Sequence, residues 1–289
     1  MPTTTTSSLD QLVDLLRHRR LSVLTGAGVS TDSGIPDYRG PKTRHIARNP
    51  IQHDAFITDA EARRRYWSRA SRGYAAVAAA KPNITHQTLA ALQQEGKLGS
   101  IITQNVDGLH QAAGAEDVLE LHGSLHAVSC LACAKTYPRA AVQELIERDN
   151  LGWLHRDVVR RDIAPDGDLE LAATAYARFL EPRCPNCAGP LMPDVVFFGG
   201  CVPKIRTQHA LDQVEQSDGL LVIGSSLTVF SGYRFVRFAE RLNLPIAIVT
   251  LGATRGDKHA AVKVDAPLAE VMPQLAEALA LPTRVAPHR

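Results

Sequence analysis

The chain has 289 residues, 45% of them hydrophobic and 21% charged, with a formal net charge of +2. That length holds one large domain plus a smaller one, and so balanced a charge argues against a nucleic-acid or membrane-surface protein. No apolar run approaches the length that spans a bilayer, and the opening MPTTTTSS has neither a secretory nor a transit-peptide pattern, so the expected compartment is cytoplasmic.

Ser7 or Ser8 caps a first helix that carries Leu12, Val13, Leu15 and Leu16 on one face and ends in the basic run 17–20. Residues 21–25, LSVLT, are a short apolar run that reads as a buried strand. It breaks at once into Gly26-Ala27-Gly28 and a helix start, the arrangement that cradles a phosphate on backbone N–H groups. Thr31 stands where the third glycine of a dinucleotide fingerprint falls, and no acidic residue closes a second strand as a dehydrogenase requires. Residues 36–54 read as a mobile loop, and 59–80 as a helix interrupted at Gly73. Asn83 or Thr85 caps a helix over 86–94. A strand over 99–103 runs into Gln104-Asn105-Val106-Asp107, read as opening a helix that extends to about 113. A third strand, 118–121, ends at His122.

Over 127–193 the strand–helix alternation stops and cysteines appear, which suggests an inserted module. Residues 195–198 read as a resumed buried strand. Helices over 204–216, 231–241 and 268–280 then alternate with strands over 220–223, 245–249 and 262–264. The expected fold is therefore α/β, a doubly wound parallel, Rossmann-like sheet (1–126 and 194–289) with a small inserted zinc-binding module (127–193) and part of 41–80 as a helical cofactor-loop unit. In such sheets ligands bind outside the carboxyl ends of the strands, where every motif noted here falls.

Cys130-x2-Cys133 and Cys184-x2-Cys187 present two pairs of thiolates, the donor set of a closed tetrahedral zinc site, so one structural Zn2+ per chain is expected. Cys201 lies outside the pattern and reads as a small buried hydrophobe. His122, at a strand end, suits proton abstraction from a hydroxyl near neutral pH. Gln104, Asn105 and Asp107 read either as helix caps or as hydrogen-bonding partners for a ribose and a carboxamide. Gly224-Ser225-Ser226 and Thr250-Leu251-Gly252 follow strands and can serve a nucleotide. Tyr66 and Arg69 share a helix face, either to receive an acidic acyl group or as part of a solvated, Arg-rich face.

GAGVSTDSGIPDYRG, TQNVDGLH, ELHGSLH, the two CxxC pairs, PDVVFFGG and GSSL, in that order, resemble the sirtuins, the NAD-dependent protein deacylases, over roughly residues 21–268. YWSR, GSSLTVFSGYRF and LPIAIVTLGATR are most similar to the class II branch. The resemblance implies that NAD is consumed as a co-substrate and that an acylated-lysine protein or peptide is deacylated, giving nicotinamide, O-acyl-ADP-ribose and free lysine. His122 matches the family's general base and, with Asn105, forms the implied catalytic pair; His86, His110 and His126 match no catalytic position. Implied NAD contacts are Gly26, Ala27, Gly28, Ser33, Gly34, Ile35, Pro36, Asp37, Tyr38 and Arg39 around the first turn. Gln104 and Asn105 address the nicotinamide ribose, while Val106 and Asp107 hold the carboxamide. Gly224, Ser225, Ser226, Thr250, Leu251, Gly252 and Leu268 lie toward the adenosine end. Val196, Phe197, Phe198 and Gly199, with Leu227, are the implied peptide-binding edge, to which an extended peptide adds as a strand. Tyr66 and Arg69 match an acyl-selecting pair. Three features depart from the family: Tyr38 stands where relatives often have Phe, Gly200 replaces a common Glu, and Thr250 a common Asn. The runner-up activity is mono-ADP-ribosylation of protein at the same NAD site; a nicotinamide-dependent dehydrogenase and a non-catalytic zinc-ribbon module are weaker alternatives. A monomer is expected, with no nucleic-acid or membrane partner.

Overall fold

A computed structural model describes residues 3–38, 43, 50–154 and 176–282, with side chains from Ser8 onward. Its strands are β1 (Leu21–Thr25), β2 (Leu98–Thr103), β3 (Val118–Glu120), β4 (Gly123–Cys130), β5 (Thr136–Pro138), β6 (Leu191–Val195), β7 (Leu220–Ile223), β8 (Ile246–Val249) and β9 (Val262–Val264). Six of them form one sheet in the order β3-β2-β1-β7-β8-β9, and every pairing in it is parallel. Strands covered on both faces must be apolar along their whole length, and β1, β7 and β8 are buried at every residue.

One face is covered by α1 (Thr3–His18), α4 (Ile84–Gln94) and the last helix (Leu268–Ala278). They bury Leu12, Leu16, Leu89, Leu92 and Leu275 against Val23, Ile101 and Val249. The other face is covered by α7 (Lys204–Glu215) and α8 (Phe230–Arg241), through Ala210, Val214, Phe235 and Val236. The strand order reverses between β1 and β7, so a crevice opens above their carboxyl ends.

The second sheet is three-stranded, β5-β4-β6, and antiparallel. It packs with α2 (His53–Thr58), α3 (Ala60–Ala78) and α6 (Arg139–Asp149) around Phe56, Tyr66, Trp67, Val128, Val142 and Trp153. The two indoles tie the layers together: Trp67 Nε1 donates to Leu191 O at 3.1 Å and Trp153 Nε1 to Ser68 O at 3.1 Å.

The structure corrects several sequence expectations. α3 runs through the buried Gly73 without a break, because one interior glycine costs a helix only about 1 kcal/mol. Helix α2 begins at His53, within the last two residues of the stretch read as a loop, of which 39–42 and 44–49 are outside the described residues. The apolar run 195–198 is not a strand of the main sheet. β6 ends at Val195 and pairs antiparallel with β4, and Val196 N–H donates to His122 O at 2.8 Å. Residues 104–108 are not helical: Val106 O accepts from Leu125 N–H and Asp107 O from His126 Nε2–H, which leaves those carbonyls to tertiary partners. Cys201 is exposed, since it sits in the open turn before α7.

Candidate active site

The turn after β1 is a 3-10 helix over Ala27–Ser33 that ends on Gly34 in the left-handed region. Gly26 and Gly28 are required first by packing. A Cβ on Gly26 would lie 2.8 Å from Ser225 Cβ, and one on Gly28 2.8 Å from Gly224 O. Gly28 N–H donates to Gly224 O at 2.9 Å, which locks the first turn onto the turn after β7. The two nucleotide-type turns thus meet at the strand-order reversal. Ile35, Pro36, Asp37 and Tyr38 continue from it, Asp37 accepts from Thr43 Oγ1, and the Tyr38 ring stands edge-on to Phe198 with centroids 6.0 Å apart. Arg39 lies outside the described residues.

Across the crevice, residues 104–107 carry a buried polar cluster. Asn105 Nδ2 donates to Ser30 Oγ at 3.0 Å, and Ser30 Oγ donates to Asp107 Oδ2 at 2.7 Å. Asp107 Oδ1 accepts from Leu109 N–H at 3.0 Å. Below them His86 approaches Ser30 Oγ at 3.5 Å and stacks obliquely on His110, with ring centroids 4.9 Å apart. Burial pushes the His86 pKa down to about 4, against the Asp107 charge that raises it; burial and then His86 hold His110 well below its ordinary value. Both rings are therefore neutral spacers at neutral pH. Gln104 Nε2 donates to Ser225 Oγ at 2.7 Å and Thr25 O at 3.1 Å, so it spans the crevice and supports the second turn.

His122 closes this wall. Its Nδ1–H donates to Gln104 O at 2.9 Å, and its Nε2 accepts from Ser231 Oγ at 2.8 Å. Burial lowers its pKa, the Gln104 hydrogen bond opposes that shift, and the Arg206 charge reinforces it. The resulting neutral imidazole, with its tautomer fixed and Nε2 available, is a competent base.

The segment after β6 splits by side: Phe197 is buried and stacked on Phe56 at 4.7 Å, whereas Phe198 is exposed. Gly199 takes a φ of +79°, and Phe198 O accepts from His53 N–H at 2.9 Å. Leu227 is buried in the left-handed region at φ 56°. Tyr66 and Arg69 are only 4% and 2% exposed, which excludes the solvated-face reading. Tyr66 lies edge-on to Phe197 at 5.1 Å. At the far end, Thr250 N–H donates to Val264 O, Leu251 is exposed, Gly252 has a φ of +87°, and Leu268 starts the last helix with its side chain in the core.

In the small sheet, the four sulfurs of Cys130, Cys133, Cys184 and Cys187 all lie within 4.8 Å of one another. Cys130 and Cys187 are 3.5 Å apart, and Cys133 and Cys184 3.7 Å. Four thiolates about 2.3 Å from one zinc have edges of about 3.8 Å, so the set fits that ion. Matching turns hold the pairs: Ala134 and Ala188 are left-handed at φ 58° and 57°, and their N–H groups donate back to Cys130 O and Cys184 O. Tyr137 O–H reaches Cys184 Sγ at 3.1 Å.

Residues 26–231 match the Sir2 family. The chain belongs to that family. It is 48% identical over 276 residues to "NAD-dependent protein deacetylase 1" of Mycobacterium avium (strain 104), a match that covers 94% of this chain and 96% of the relative. It is 46% identical over 270 residues to "NAD-dependent protein deacetylase" of Xanthomonas campestris pv. campestris (strain 8004), covering 93% and 90%. A solved structure described as "Sir2-p53 peptide-NAD+" superposes with a TM-score of 0.74 at 31% identity over 93% of this chain and 97% of that one. Another, "Sir2 bound to acetylated peptide", has a TM-score of 0.73 at 30% identity, with the same coverage.

The Sir2 crevice also contains residues to which the sequence assigns no role, Ser30, Ser231 and Arg206, and His86, read as structural, lies buried beneath it. Ser30 lies inside the first motif, but its link to Asp107 crosses 77 residues of chain. Ser231 opens α8, and its contact with His122 crosses 109. Periodicity carries no signal for such pairs.

Proposed function

We propose that this chain is an NAD-dependent protein lysine deacetylase of class II type that accepts acyl-lysine peptides. The observation that carries the reading is the wall of His122, Gln104, Asn105, Ser30 and Asp107 facing the two interlocked turns of the sheet reversal. The Asp107 carboxylate and the Val106 backbone offer acceptor and donor groups that complement a carboxamide, and the turns on Gly26–Gly28 and Gly224–Ser226 suit the phosphates and riboses. NAD supplies an electrophilic ribose carbon with nicotinamide as its leaving group. Asp107 and the Val106 backbone hold the carboxamide; Asn105 positions the reacting ribose. Ile35 and Tyr38 exclude water from above. The lysine acyl oxygen takes the place of nicotinamide on the electrophilic ribose carbon; His122 then receives the ribose hydroxyl proton at Nε2 as the hydroxyl oxygen adds to the acyl carbon, and water completes the release of free lysine and O-acyl-ADP-ribose.

The peptide lies extended between Val196–Gly199 and the Leu227 loop, with its acyl chain directed toward Phe197. Tyr66, buried edge-on to Phe197, and the buried Arg69 select the acyl group. The protein works as a cytoplasmic monomer.

A mass-spectrometric screen tests this. The protein is incubated with NAD and one lysine peptide bearing acetyl, long-chain, lipoyl, succinyl or glutaryl groups in turn. NAD-dependent loss of acetyl with O-acetyl-ADP-ribose appearing is the expected result, and preference for an acidic acyl group assigns it to Tyr66 and Arg69. Survival of every acyl peptide, with ADP-ribose found on protein, overturns the deacetylase reading.

A further inference from the structure

Beyond the crevice, the loop after β8 touches the peptide-side loop at three points and the following helix α8 at a fourth. Arg255 N–H donates to Ser226 O at 3.1 Å. Arg255 Nη1 donates to Thr228 O at 3.3 Å. These two carbonyls bracket Leu227, the buried residue held at φ 56°. A β-carbon-bearing residue in that region costs on the order of 1 kcal/mol and persists only where its surroundings hold it. The third contact is steric: Gly256 is buried, and a Cβ there would lie 2.5 Å from Leu227 Cδ1. The fourth is the platform. The Arg255 guanidinium lies 4.2 Å from the Tyr233 ring centroid, and Tyr233 is fixed through its hydroxyl to His259 Nε2 at 2.8 Å, with His259 Nδ1 on Glu240 at 2.7 Å.

We infer that Arg255 is a positioning residue for the acyl-lysine peptide: with Gly256 it holds Leu227 in its left-handed turn and so sets the edge on which the peptide lies. The inference rests on the deacetylase reading. It assigns work to a side chain whose contacts, Thr228 O and the Tyr233 ring, lie outside the NAD turns and away from His122; the backbone N–H that meets Ser226 is kept in R255A. The NAD side of the same loop is anchored separately, by Gln104 Nε2 on Ser225 Oγ and by Gly28 N–H on Gly224 O. Loss of Arg255 therefore loosens the peptide edge while leaving the cofactor side in place.

The test uses R255A and G256A, which disturb Leu227 through different contacts. Gly256 has a φ of −92°, so an alanine there suits the backbone and acts through its Cβ alone. Binding of a fluorescent acetyl-lysine peptide is measured by anisotropy, NAD binding by calorimetry, and turnover at saturating peptide. In R255A the peptide dissociation constant is expected to rise about fivefold to tenfold, the worth of one hydrogen bond and its stacking, and in G256A to rise as well, through the clash with Leu227, with NAD binding and saturated turnover within about twofold of wild type in both. Tyr233→Phe keeps the platform ring and is expected to bind peptide as wild type does. Unchanged peptide binding in R255A, or peptide and NAD constants rising in step, overturns the inference. A wild-type protein that binds no acyl-lysine peptide removes the deacetylase reading, and this inference with it.

Discussion

His122 Nδ1 and the backbone carbonyl oxygen of Gln104 stand 2.9 Å apart, so the residue that starts the 104–107 wall also sets the tautomer of the histidine that ends β3's connection. Nε2 is left as the proton acceptor, with the Ser231 hydroxyl on it. His122→Ala is expected to lower deacetylation about 10²- to 10⁴-fold, the usual worth of a general base, with an unchanged melting temperature. The base must be neutral, and burial holds its pKa below 6.5. Turnover at saturating substrates should be flat through neutral pH and fall only on the acid side of 6.5. A fall that begins above pH 7 would remove His122 as the controlling group.

Asp107→Asn tests the carboxamide site. The carboxylate accepts from Ser30 Oγ and from Leu109 N–H. An amide in its place turns one acceptor into a donor that faces a donor. Nicotinamide, assayed as a product inhibitor, should weaken about tenfold or more, the cost of an unsatisfied buried polar group. Inhibition of wild-type strength in the variant contradicts the assignment.

Strands buried on both faces were legible because they leave uninterrupted apolar runs, and LSVLT, LLVI and IAIV are all strands of the main sheet. The same signal misled at 195–198. An apolar run shows burial but not which sheet buries it, and there the aromatic pair splits, Phe197 inward and Phe198 outward. The zinc site was legible because two CxxC turns define it locally. The buried Ser30–Asp107 and His86–His110 contacts were not, because they join segments that meet only when the sheet closes. Gly26 and Gly28 read as a phosphate turn, yet their tightest contacts are with Gly224 and Ser225, in the turn after a strand almost 200 residues away.

The His86–His110 pair makes stability depend on pH. Both pKa values are depressed on folding, to about 4 for His86 and well below 6.5 for His110. The unfolded chain therefore binds more protons than the folded one between about pH 4 and 6.5. Stability contributed by these groups is complete above 6.5 and is lost as pH falls through that window. Each histidine adds a slope of at most about 1.4 kcal/mol per pH unit. Urea midpoints measured from pH 7 to 5 should fall accordingly, and the fall should be smaller in His110→Gln. An identical pH dependence in that variant would show that other groups control it.

Zinc removal can be followed within the small module alone. The chain has two tryptophans, and both, Trp67 and Trp153, lie in the cluster that packs on the cysteine-bearing sheet. Cys130 and Cys184 belong to that cluster as well, and Trp67 bonds to Leu191, the β6 residue that pairs with Cys130. A thiol reagent or strong chelator should release one zinc per chain and shift tryptophan emission to the red. The main sheet, whose core contains neither indole, should keep its far-ultraviolet dichroism at the same stage. Cys184→Ser should show the shifted emission from the outset, since it removes one of four thiolates and the acceptor of the Tyr137 hydroxyl. If stoichiometric zinc release left the emission unchanged, the ion would not be what holds this module together.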